Sequence, residues 1–349
     1  MKRKIIVFSR KDQAELREEE FDDHLIGDQI LVKTIYSPIS VGTECANYHG
    51  LQNTAGGRGE FPLYPGYSGS AVVVKVGPEV QKLKVDDRVI LNWNGDASYC
   101  VKSERDTTRI EDDNVDMLEA SFTHISCFPM LAIRKLRLEL GESILIAGQG
   151  ILGIFATQFA HLSGAYPVIV ADYSPERRKL ALALGADYAL NPSDVDYVEK
   201  VREIVGVKRE DVRSANGGKG VDAVVEVTGV AAALKQVLEC VRKQGRIALL
   251  GCTRIPDVPI DFYQKVHVPG IRLIGCHTSN RPSVESRPGQ WTEHDDYVTF
   301  LKFLSRGRVK VTPIISKICS PVDAQEVYKM LVETKNPPLG IVFDWRKLS

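Results

Sequence analysis

The stretch ILIAGQGILG, residues 144–153, decides the fold that this sequence predicts. Its first four residues, Ile144 to Ala147, have the short apolar pattern of a buried strand, and an apolar segment of helical length follows. Between them, Gly148, Gly150 and Gly153 form a G-x-G-x-x-G motif. In such a motif the first glycine makes a tight turn, the second lets a pyrophosphate approach the backbone, and the third allows close helix–strand packing.

An acidic residue stands where a dinucleotide site requires one. Asp172 ends the next apolar strand, 19 residues after Gly153, and would hydrogen-bond the adenine ribose and repel a 2′-phosphate. Arg177 could bind a 2′-phosphate or cover the adenine, but the acid at the strand end outweighs it. We therefore predict an NAD site. Its predicted residues are Gly148, Gly150, Ile151, Leu152, Gly153, Asp172, Arg177, Thr228 and Gly251.

Two sequence patterns divide the chain. Residues 1–115 contain short apolar runs separated by turn residues, which indicates a small barrel or sandwich. From residue 144 onward, strands alternate with amphipathic helical segments, which indicates a parallel sheet covered on both faces. The predicted strands are 144–147, 168–171, 221–227, 246–250, 272–274 and 313–318, and the predicted helices are 152–163, 175–184, 231–242, 293–305 and 322–333. The polar segment Val207 to Lys219 is predicted to be a surface loop.

The composition excludes several classes of partner. The 349 residues include 45 Lys and Arg and 45 Asp and Glu, so the formal net charge is zero. A chain without net positive charge lacks the electrostatic footprint for nucleic acid and the polybasic run that binds anionic membranes. Its seven cysteines are scattered, which indicates neither a disulfide framework nor a C-x-x-C site. We predict a cytoplasmic protein without nucleic-acid or membrane partners.

Further segments match a known family in order and spacing. They are VGTE (41–44), PGYSG (65–69), VDDRV (85–89), LGAD (184–187), VEVTG (225–229) and GRI (245–247). With these segments and the glycine motif, the chain resembles the medium-chain dehydrogenase/reductase superfamily. The resemblance implies an α/β fold of two domains. Residues 1–124 and 279–349 would form a partly open, GroES-like β-barrel that carries catalysis, and residues 125–278 would form the NAD-binding Rossmann domain.

The resemblance also implies an activity and an assembly. It predicts NAD-dependent oxidation of a secondary alcohol to a carbonyl, or the reverse reaction. Members of the superfamily pair through the last strand of the nucleotide-binding sheet, here Arg272 to Ile274. We therefore expect a homodimer or a homotetramer.

The chain departs from the family at the metal site. Zinc-dependent members carry a cysteine where this chain has Val41, a histidine where it has Tyr67, and a third ligand that aligns with His124. The four cysteines of the family's structural zinc lobe have no counterpart between Asn92 and Glu111. Catalytic zinc needs about three protein ligands. The resemblance thus places this chain in a zinc-less branch, and we predict no metal.

Without zinc, a side chain must take the proton of the alcohol. Tyr67 and His124 occupy two former ligand positions, and histidine is the more natural base because it titrates near neutral pH. Thr43 aligns with the family's hydroxyl relay, and Glu44 could hold Thr43 or a substrate hydroxyl. The alternative is that Tyr67 and His124 only fill the space that the zinc site left.

The predicted substrate-binding residues are His49, His277, Arg281 and Trp291. The last three lie on or beside a long loop, Thr278 to Thr292, which is either a substrate lid or a plain surface loop. His49 could equally be a solvated loop residue. A polar pocket favours a small polar substrate such as a sugar, polyol or cyclitol. The alternatives are an NADPH-type quinone or enoyl reductase, a bacteriochlorophyllide-type hydroxyethyl dehydrogenase, and a non-catalytic nucleotide-binding protein.

Overall fold

The structure, a computed structural model, describes residues 1–51, 60–206, 220–254 and 259–348. The predicted surface loop Val207–Lys219 lies outside these residues. The chain divides into two compact units, which are described separately. Unit 1 comprises Met1–Ile125 and Tyr297–Ser349, and unit 2 comprises Ser126–Asp296.

Unit 1 is built mainly from antiparallel strands. Its first half contains β1 (Lys2–Arg10), β2 (Gln13–Glu20), β3 (Gln29–Pro38), α1 (Val41–Tyr48), β4 (Ser68–Val76), β5 (Arg88–Asn92), β6 (Tyr99–Ser103), β7 (Thr108–Arg109) and α2 (Met117–Ala120). The helix α3 (Thr123–Leu136) follows and continues into unit 2. β1 pairs with β2 in a separate hairpin, whereas β3 pairs with both β4 and β6.

Unit 2 is an alternation of strands and helices. It contains β8 (Ile144–Ala147), α4 (Ile151–Leu162), β9 (Val168–Ala171), α5 (Pro175–Ala183), β10 (Tyr188–Leu190), α6 (Tyr197–Val205), β11 (Val221–Glu226), α7 (Ala231–Cys240), β12 (Val241–Leu249) and β13 (Arg272–Gly275). These strands form one six-stranded parallel sheet in the order β10-β9-β8-β11-β12-β13. The chain then returns to unit 1 within α8 (Glu293–Ser305), followed by β14 (Lys317–Cys319), α9 (Ala324–Glu333) and β15 (Ile341–Asp344).

The two units bury apolar residues with the periodicity that each sheet requires. In unit 1 the alternate residues Ile30 and Val32 of β3 face the same side and pack with Ala71, Val73 and other buried residues. In unit 2 all four residues of β8 and all four of β9 are buried, because helices cover both faces of a parallel sheet. The structure therefore confirms the α/β prediction of a parallel-sheet unit beside a β-rich unit.

The segment 279–296 differs from the sequence-based domain boundary. We predicted that it belongs to the catalytic domain, but it groups with unit 2. The reason is a cluster of charged contacts within that unit. Arg281 forms an ion pair with Asp296 and donates to the carbonyl oxygen of Cys127, while the guanidinium of Arg134 lies 3.5 Å from the ring centre of Trp291. These contacts hold the segment against α3.

Two further features bear on partners. Among the described strands, β13 hydrogen-bonds only to β12, so its other side is an edge of the sheet. Across the described part of the chain, no helix combines the length and the apolar character that crossing a bilayer would require.

Candidate functional site

The glycine motif of unit 2 folds into a loop that only glycine fits at two positions. Gly148 has φ of +99°, a left-handed conformation, and a Cβ there would lie 2.8 Å from Cγ2 of Thr228. A Cβ on Gly153 would lie 1.9 Å from the carbonyl oxygen of Gly148. The first glycine therefore provides the turn and the third lets α4 approach β8, as the motif predicts.

The middle glycine leaves room for a ligand. No atom lies within 4 Å of the Cβ position of Gly150, which directly precedes α4. The first amides of this 12-residue helix have no partner within the helix, and the helix dipole favours negative charge at that end. The open space and the helix N-terminus together fit a pyrophosphate group.

Asp172 lies immediately after β9 and faces this loop. Its Oδ2 accepts a hydrogen bond from the amide of Gln149 at 2.7 Å, and its Oδ1 accepts one from the amide of Ser174 at 2.8 Å. These bonds fix the carboxylate beside the glycine turn, where an adenine ribose would lie. Arg177 lies in the first turn of α5, and its amide donates a hydrogen bond to Oγ of Ser174. Arg178 donates to the backbone carbonyl of Asp172, so it contributes no direct neutralisation of that carboxylate.

Glu226 organises the neighbouring strand ends and was missed by sequence reasoning. This buried carboxyl at the end of β11 accepts hydrogen bonds from the amides of Thr228 and Gly229, and burial raises its pKa. Gly251 follows β12. A Cβ there would lie 2.1 Å from the amide nitrogen of Gly229, so the two backbone segments approach closely. Thr228 and Gly251 thus lie at the same sheet edge as the glycine loop.

Tyr67 and His124 lie together in unit 1. Their rings meet edge to face with centroids 5.6 Å apart, and Trp93 stacks on Tyr67 at 5.2 Å. His124 is completely buried and Tyr67 is 7% exposed, whereas Trp93 is 52% exposed. Trp93 has φ of +50°, an uncommon conformation for a bulky residue. These three rings form the aromatic cluster of unit 1.

Two polar groups of this cluster have hydroxyl partners far away in the sequence. Nδ1 of His124 lies 2.5 Å from the hydroxyl of Tyr297, on α8. The hydroxyl of Tyr67 donates to Oγ of Ser40, the residue that precedes α1. Tyr297 therefore orients the imidazole, and Ser40 orients the phenol. Tyr297 carries no motif that sequence reasoning could have recognised.

Glu44 lies behind Ser40 in a buried carboxyl network. Its Oε1 accepts the amide of Ser40 at 2.8 Å and its Oε2 accepts the hydroxyl of Tyr328 at 2.5 Å. Asp96 is also buried, and it interacts with Ser37, Tyr328 and the charge of Glu44. Burial raises the pKa of Glu44 to about 7 and raises the pKa of Asp96 well above its usual range. Two carboxyls share one buried environment.

Comparisons with known proteins decide the family. Residues 26–125 match the alcohol dehydrogenase GroES-like domain, and residues 152–293 match the zinc-binding dehydrogenase domain. The L-threonine 3-dehydrogenase of Thermococcus kodakarensis is 30% identical over 82% of this chain and 83% of its own length. This chain belongs to the zinc-type medium-chain dehydrogenase/reductase superfamily.

Two more comparisons agree with this membership. The NAD-dependent alcohol dehydrogenase of Sulfolobus acidocaldarius is 27% identical over 92% of this chain and 94% of its own length. The crystal structure of benzyl alcohol dehydrogenase from Acinetobacter calcoaceticus covers 99% of each chain with a TM-score of 0.81 and 18% identity. Unit 1 therefore contains the predicted GroES-like fold and unit 2 the predicted Rossmann fold.

The residues of this superfamily member do not fit the zinc of its relatives. The resemblance aligns Val41 and Tyr67 with two zinc ligands of the family, and Nδ1 of His124 lies 2.5 Å from the hydroxyl of Tyr297. Glu44 is held by Ser40 and Tyr328, and burial raises the pKa of the nearby Cys45 thiol to about 12. Within the ranges that the structure describes, no three His, Cys, Asp or Glu side chains are placed to hold a metal ion.

Three predicted site residues of this dehydrogenase lie on or beside α1. Glu44 was expected to hold Thr43 or substrate, but its carboxyl bonds Ser40 and Tyr328 and is 1% exposed. Thr43 is half-buried in the first turn of α1, with its amide donating to the Ser40 carbonyl. His49 caps the end of α1, and its Nδ1 lies 2.5 Å from Oδ1 of Asp12.

The predicted lid loop is a fixed structural segment at two positions. Arg281 forms an ion pair with Asp296 and donates to the carbonyl oxygen of Cys127, and Arg134 lies over the ring of Trp291. That Arg281 and Trp291 bind substrate stays a prediction. A buried guanidinium needs a carboxylate partner, and Asp296 provides it. His277 is exposed, and its Nδ1 lies 2.7 Å from Oγ of Ser279.

Proposed function

We propose that this protein oxidises a secondary alcohol with NAD, or reduces the corresponding carbonyl, without a catalytic metal. One observation carries the proposal: Tyr67 and His124, which the resemblance aligns with two zinc ligands of the family, pack against each other, and each is held by a hydroxyl-bearing residue. The alcohol and threonine dehydrogenases among its relatives support the reaction class. Positioned side chains would replace the metal in handling the proton of the alcohol.

The geometry supports distinct roles for the two residues. When Nδ1–H of His124 donates to the oxygen of Tyr297, the lone pair of the ring lies on Nε2, which can accept the alcohol proton. Tyr67 is oriented through its hydrogen bond to Ser40 and would position the substrate oxygen. Thr43, half-buried in α1, remains our candidate for passing the proton onward. Bound NAD supplies the acceptor for the hydride that leaves the carbinol carbon.

We propose a polyhydroxylated substrate, such as a sugar, polyol or cyclitol. The aromatic cluster offers a ring face on half-exposed Trp93 beside the polar groups of Tyr67 and His124. Small-molecule sites combine apolar and aromatic walls with a few placed polar groups in this way. The pairing suits a molecule with apolar C–H faces and hydroxyl edges.

A substrate screen tests this function. Purified protein is incubated with NAD and a panel of sugars, cyclitols and simple secondary alcohols, and NADH absorbance is followed before and after exhaustive chelation. We expect turnover with a polyhydroxylated alcohol, unchanged by chelation, and no zinc by elemental analysis. Stoichiometric zinc whose removal abolishes turnover would overturn the metal-free mechanism. Turnover of quinones or enoyl compounds with NADPH alone would overturn the reaction.

Cofactor preference is expected to depend on Asp172. The Asp172→Ala variant should bind NAD about tenfold more weakly, because a charge-assisted hydrogen bond contributes roughly 1.5–3 kcal/mol. Its affinity for NADP should fall less, because the repulsion of the 2′-phosphate disappears. Fluorescence titration of both cofactors measures the two Kd values, and Asp194→Ala, at a half-buried acid elsewhere in unit 2 that pairs with Lys200, is the control. Tighter binding of NADP than NAD by the unaltered protein would contradict the assignment.

We further propose a homodimer or homotetramer in the cytoplasm. The edge strand β13, with Leu273 and Ile274 only partly buried, supports pairing with a second copy, since soluble proteins rarely leave such edges unprotected. All seven cysteines are free thiols, which suits a reducing compartment.

A further inference from the structure

A cleft with three cationic side chains lies in unit 2, beside the edge strand β13. It has a volume of about 590 Å³ and is lined by Lys135 and Arg137 at the end of α3, by Ile274 of β13, and by the turn from Arg287 to Gln290. We call it the cationic cleft. Its volume falls within the range of about 300–1,000 Å³ that is typical of small-molecule sites. The whole chain has no net charge, so this concentration of cations is local.

The three cations of the cleft bond to neutral acceptors. Nζ of Lys135 donates to the carbonyl oxygen of Gly275, and Nη2 of Arg137 donates to that of Pro288. Nε of Arg287 donates to the side-chain oxygen of Gln290 at 2.8 Å. Among the ion pairs of the described residues, none involves Lys135, Arg137 or Arg287. Their positive charge is therefore left for a ligand or for solvent.

Neighbouring arginines in the same unit behave differently. Arg134 and Arg281 both form ion pairs with the buried carboxylate of Asp296, at 2.7 and 2.5 Å. One carboxylate thus pairs with two guanidinium groups. Within the described ranges, no acid forms such an ion pair with the cations of the cleft. An anionic ligand would act on the cations of the cleft as Asp296 acts on Arg134 and Arg281, by supplying negative charge.

The wall of the cleft is organised before any ligand binds. Arg287 and Gln290 exchange two backbone hydrogen bonds of 2.8 Å, which closes the turn. Gly289 has φ of +79°, and a Cβ there would lie 2.8 Å from Nε of Arg137, so glycine lets the two walls approach. Preorganised groups lose less entropy when they bind a ligand. The arginines are therefore held near their binding positions.

We propose that the cationic cleft binds a phosphate-bearing small molecule at a site separate from the dinucleotide. Guanidinium groups match phosphate oxygens in a bidentate fork, and lysine adds a point charge. A phosphate group fills only part of the cleft, so an organic body can accompany it.

The cleft is distant from the predicted dinucleotide site of the same unit. Asp172 follows β9 and the cleft borders β13, and these strands are four positions apart in the sheet. Neighbouring strands are spaced by about 4.8 Å, which puts the two strands roughly 19 Å apart. The cationic cleft is therefore no extension of the adenine ribose pocket, and a cofactor 2′-phosphate beside Asp172 would not reach it.

Isothermal titration calorimetry with inorganic pyrophosphate and inorganic phosphate tests this site. Titrations are made at constant ionic strength, with and without saturating NAD. We expect pyrophosphate to bind at one site per chain in both conditions. Arg137→Ala and Arg287→Ala should each weaken binding about tenfold or more, and Arg137→Lys should weaken it less. Lys302→Ala, which removes an exposed cation from α8, should leave it unchanged.

Several outcomes would overturn the proposal. Absence of binding to the unaltered protein would do so, and so would binding that NAD abolishes, because the probe would then occupy the glycine loop. Binding of citrate as tightly as pyrophosphate would also overturn it, because the cleft would then have no preference for phosphate groups. Should Arg137→Ala unfold at a lower temperature, because Arg137 also holds the Pro288 carbonyl, Arg287→Lys and Arg287→Ala give the decisive comparison. Equal binding by all Arg287 variants would then refute the site.

Discussion

Replacing His124 with alanine is expected to lower kcat for alcohol oxidation about 100-fold or more and to leave the Kd for NAD unchanged. A positioned acid or base contributes roughly 10²- to 10⁴-fold to proton transfer, and no metal in the proposed site would take over this task. His124 belongs to unit 1, whereas the glycine loop and Asp172 belong to unit 2. The variant should therefore separate catalysis from cofactor binding. Stopped-flow and steady-state kinetics measure the first, and fluorescence titration measures the second.

Two companion variants identify how His124 acts. Tyr297→Phe removes the hydroxyl that contacts Nδ1, so it should lower kcat less than His124→Ala does and change the pH profile of kcat near neutrality. Tyr67→Phe should cost less than His124→Ala if the phenol only orients substrate, and about as much if it is the acid. His24→Ala, at an exposed histidine of unit 1, controls for loss of an imidazole elsewhere.

Because His124 is buried, folding must be measured beside activity. Alanine leaves a cavity at this position, and the unfolding midpoint of each variant shows whether the fold survives. If His124→Ala is folded, binds NAD normally and turns over at the original rate, then His124 only fills space beside Tyr67. That result would remove the proposed mechanism and leave the family assignment intact.

The nucleotide-binding unit was predictable because its signals are local. The strand predicted over residues 144–147 is β8, and the helix predicted over 152–163 is α4, Ile151–Leu162. Apolar periodicity and the steric needs of adjacent glycines act within a few residues, so one sequence suffices. Local signals also have limits: the strand predicted over 313–318 is only Lys317–Cys319, because Pro313 lies in a 3-10 turn, Thr312–Ile314.

The partners of the catalytic candidates were not predictable for the opposite reason. Tyr297 lies 173 positions after His124, and Tyr328 lies 284 positions after Glu44. No spacing rule connects residues so far apart, and each of them occupies an ordinary amphipathic helix. The same holds for Asp296, which lies 162 positions after its partner Arg134. Side-chain pairing across the fold requires coordinates.

The buried carboxyl network makes a second large effect measurable, in stability. Glu44 is 1% exposed, and burial raises its pKa to about 7, with the hydroxyl of Tyr328 and the amide of Ser40 offsetting part of that cost. The nearby Asp96 has its pKa raised in the same direction by burial and by the charge of Glu44. The folded protein therefore keeps protons on these carboxyls at pH values where the unfolded chain has released them.

The sign of the effect follows from proton linkage. Stability changes with pH in proportion to the protons bound by the unfolded chain minus those bound by the folded one. Between an unfolded pKa of roughly 4.3 and the folded pKa of Glu44, this difference is negative, so the free energy of unfolding falls as the pH rises. One pKa unit corresponds to about 1.4 kcal/mol, so a shift to about 7 makes Glu44 alone account for a loss of roughly 4 kcal/mol by pH 8.

Urea unfolding at pH 5.5 and pH 8 measures the part of this loss that falls between those pH values, about 2 kcal/mol. In Glu44→Gln the titrating group is absent but the shape is kept, so the variant should lose less stability between the two pH values than the unaltered protein. Glu326→Gln, at an exposed position of α9 close in sequence to Tyr328, should keep the full dependence. If Glu44→Gln and the unaltered protein lose equal stability, Glu44 is ionised when folded and the network is held by charge. The pH dependence of stability in the two single variants thus reports which carboxyl of the pair carries the proton. A dependence that survives in Glu44→Gln and disappears in Asp96→Asn belongs to Asp96.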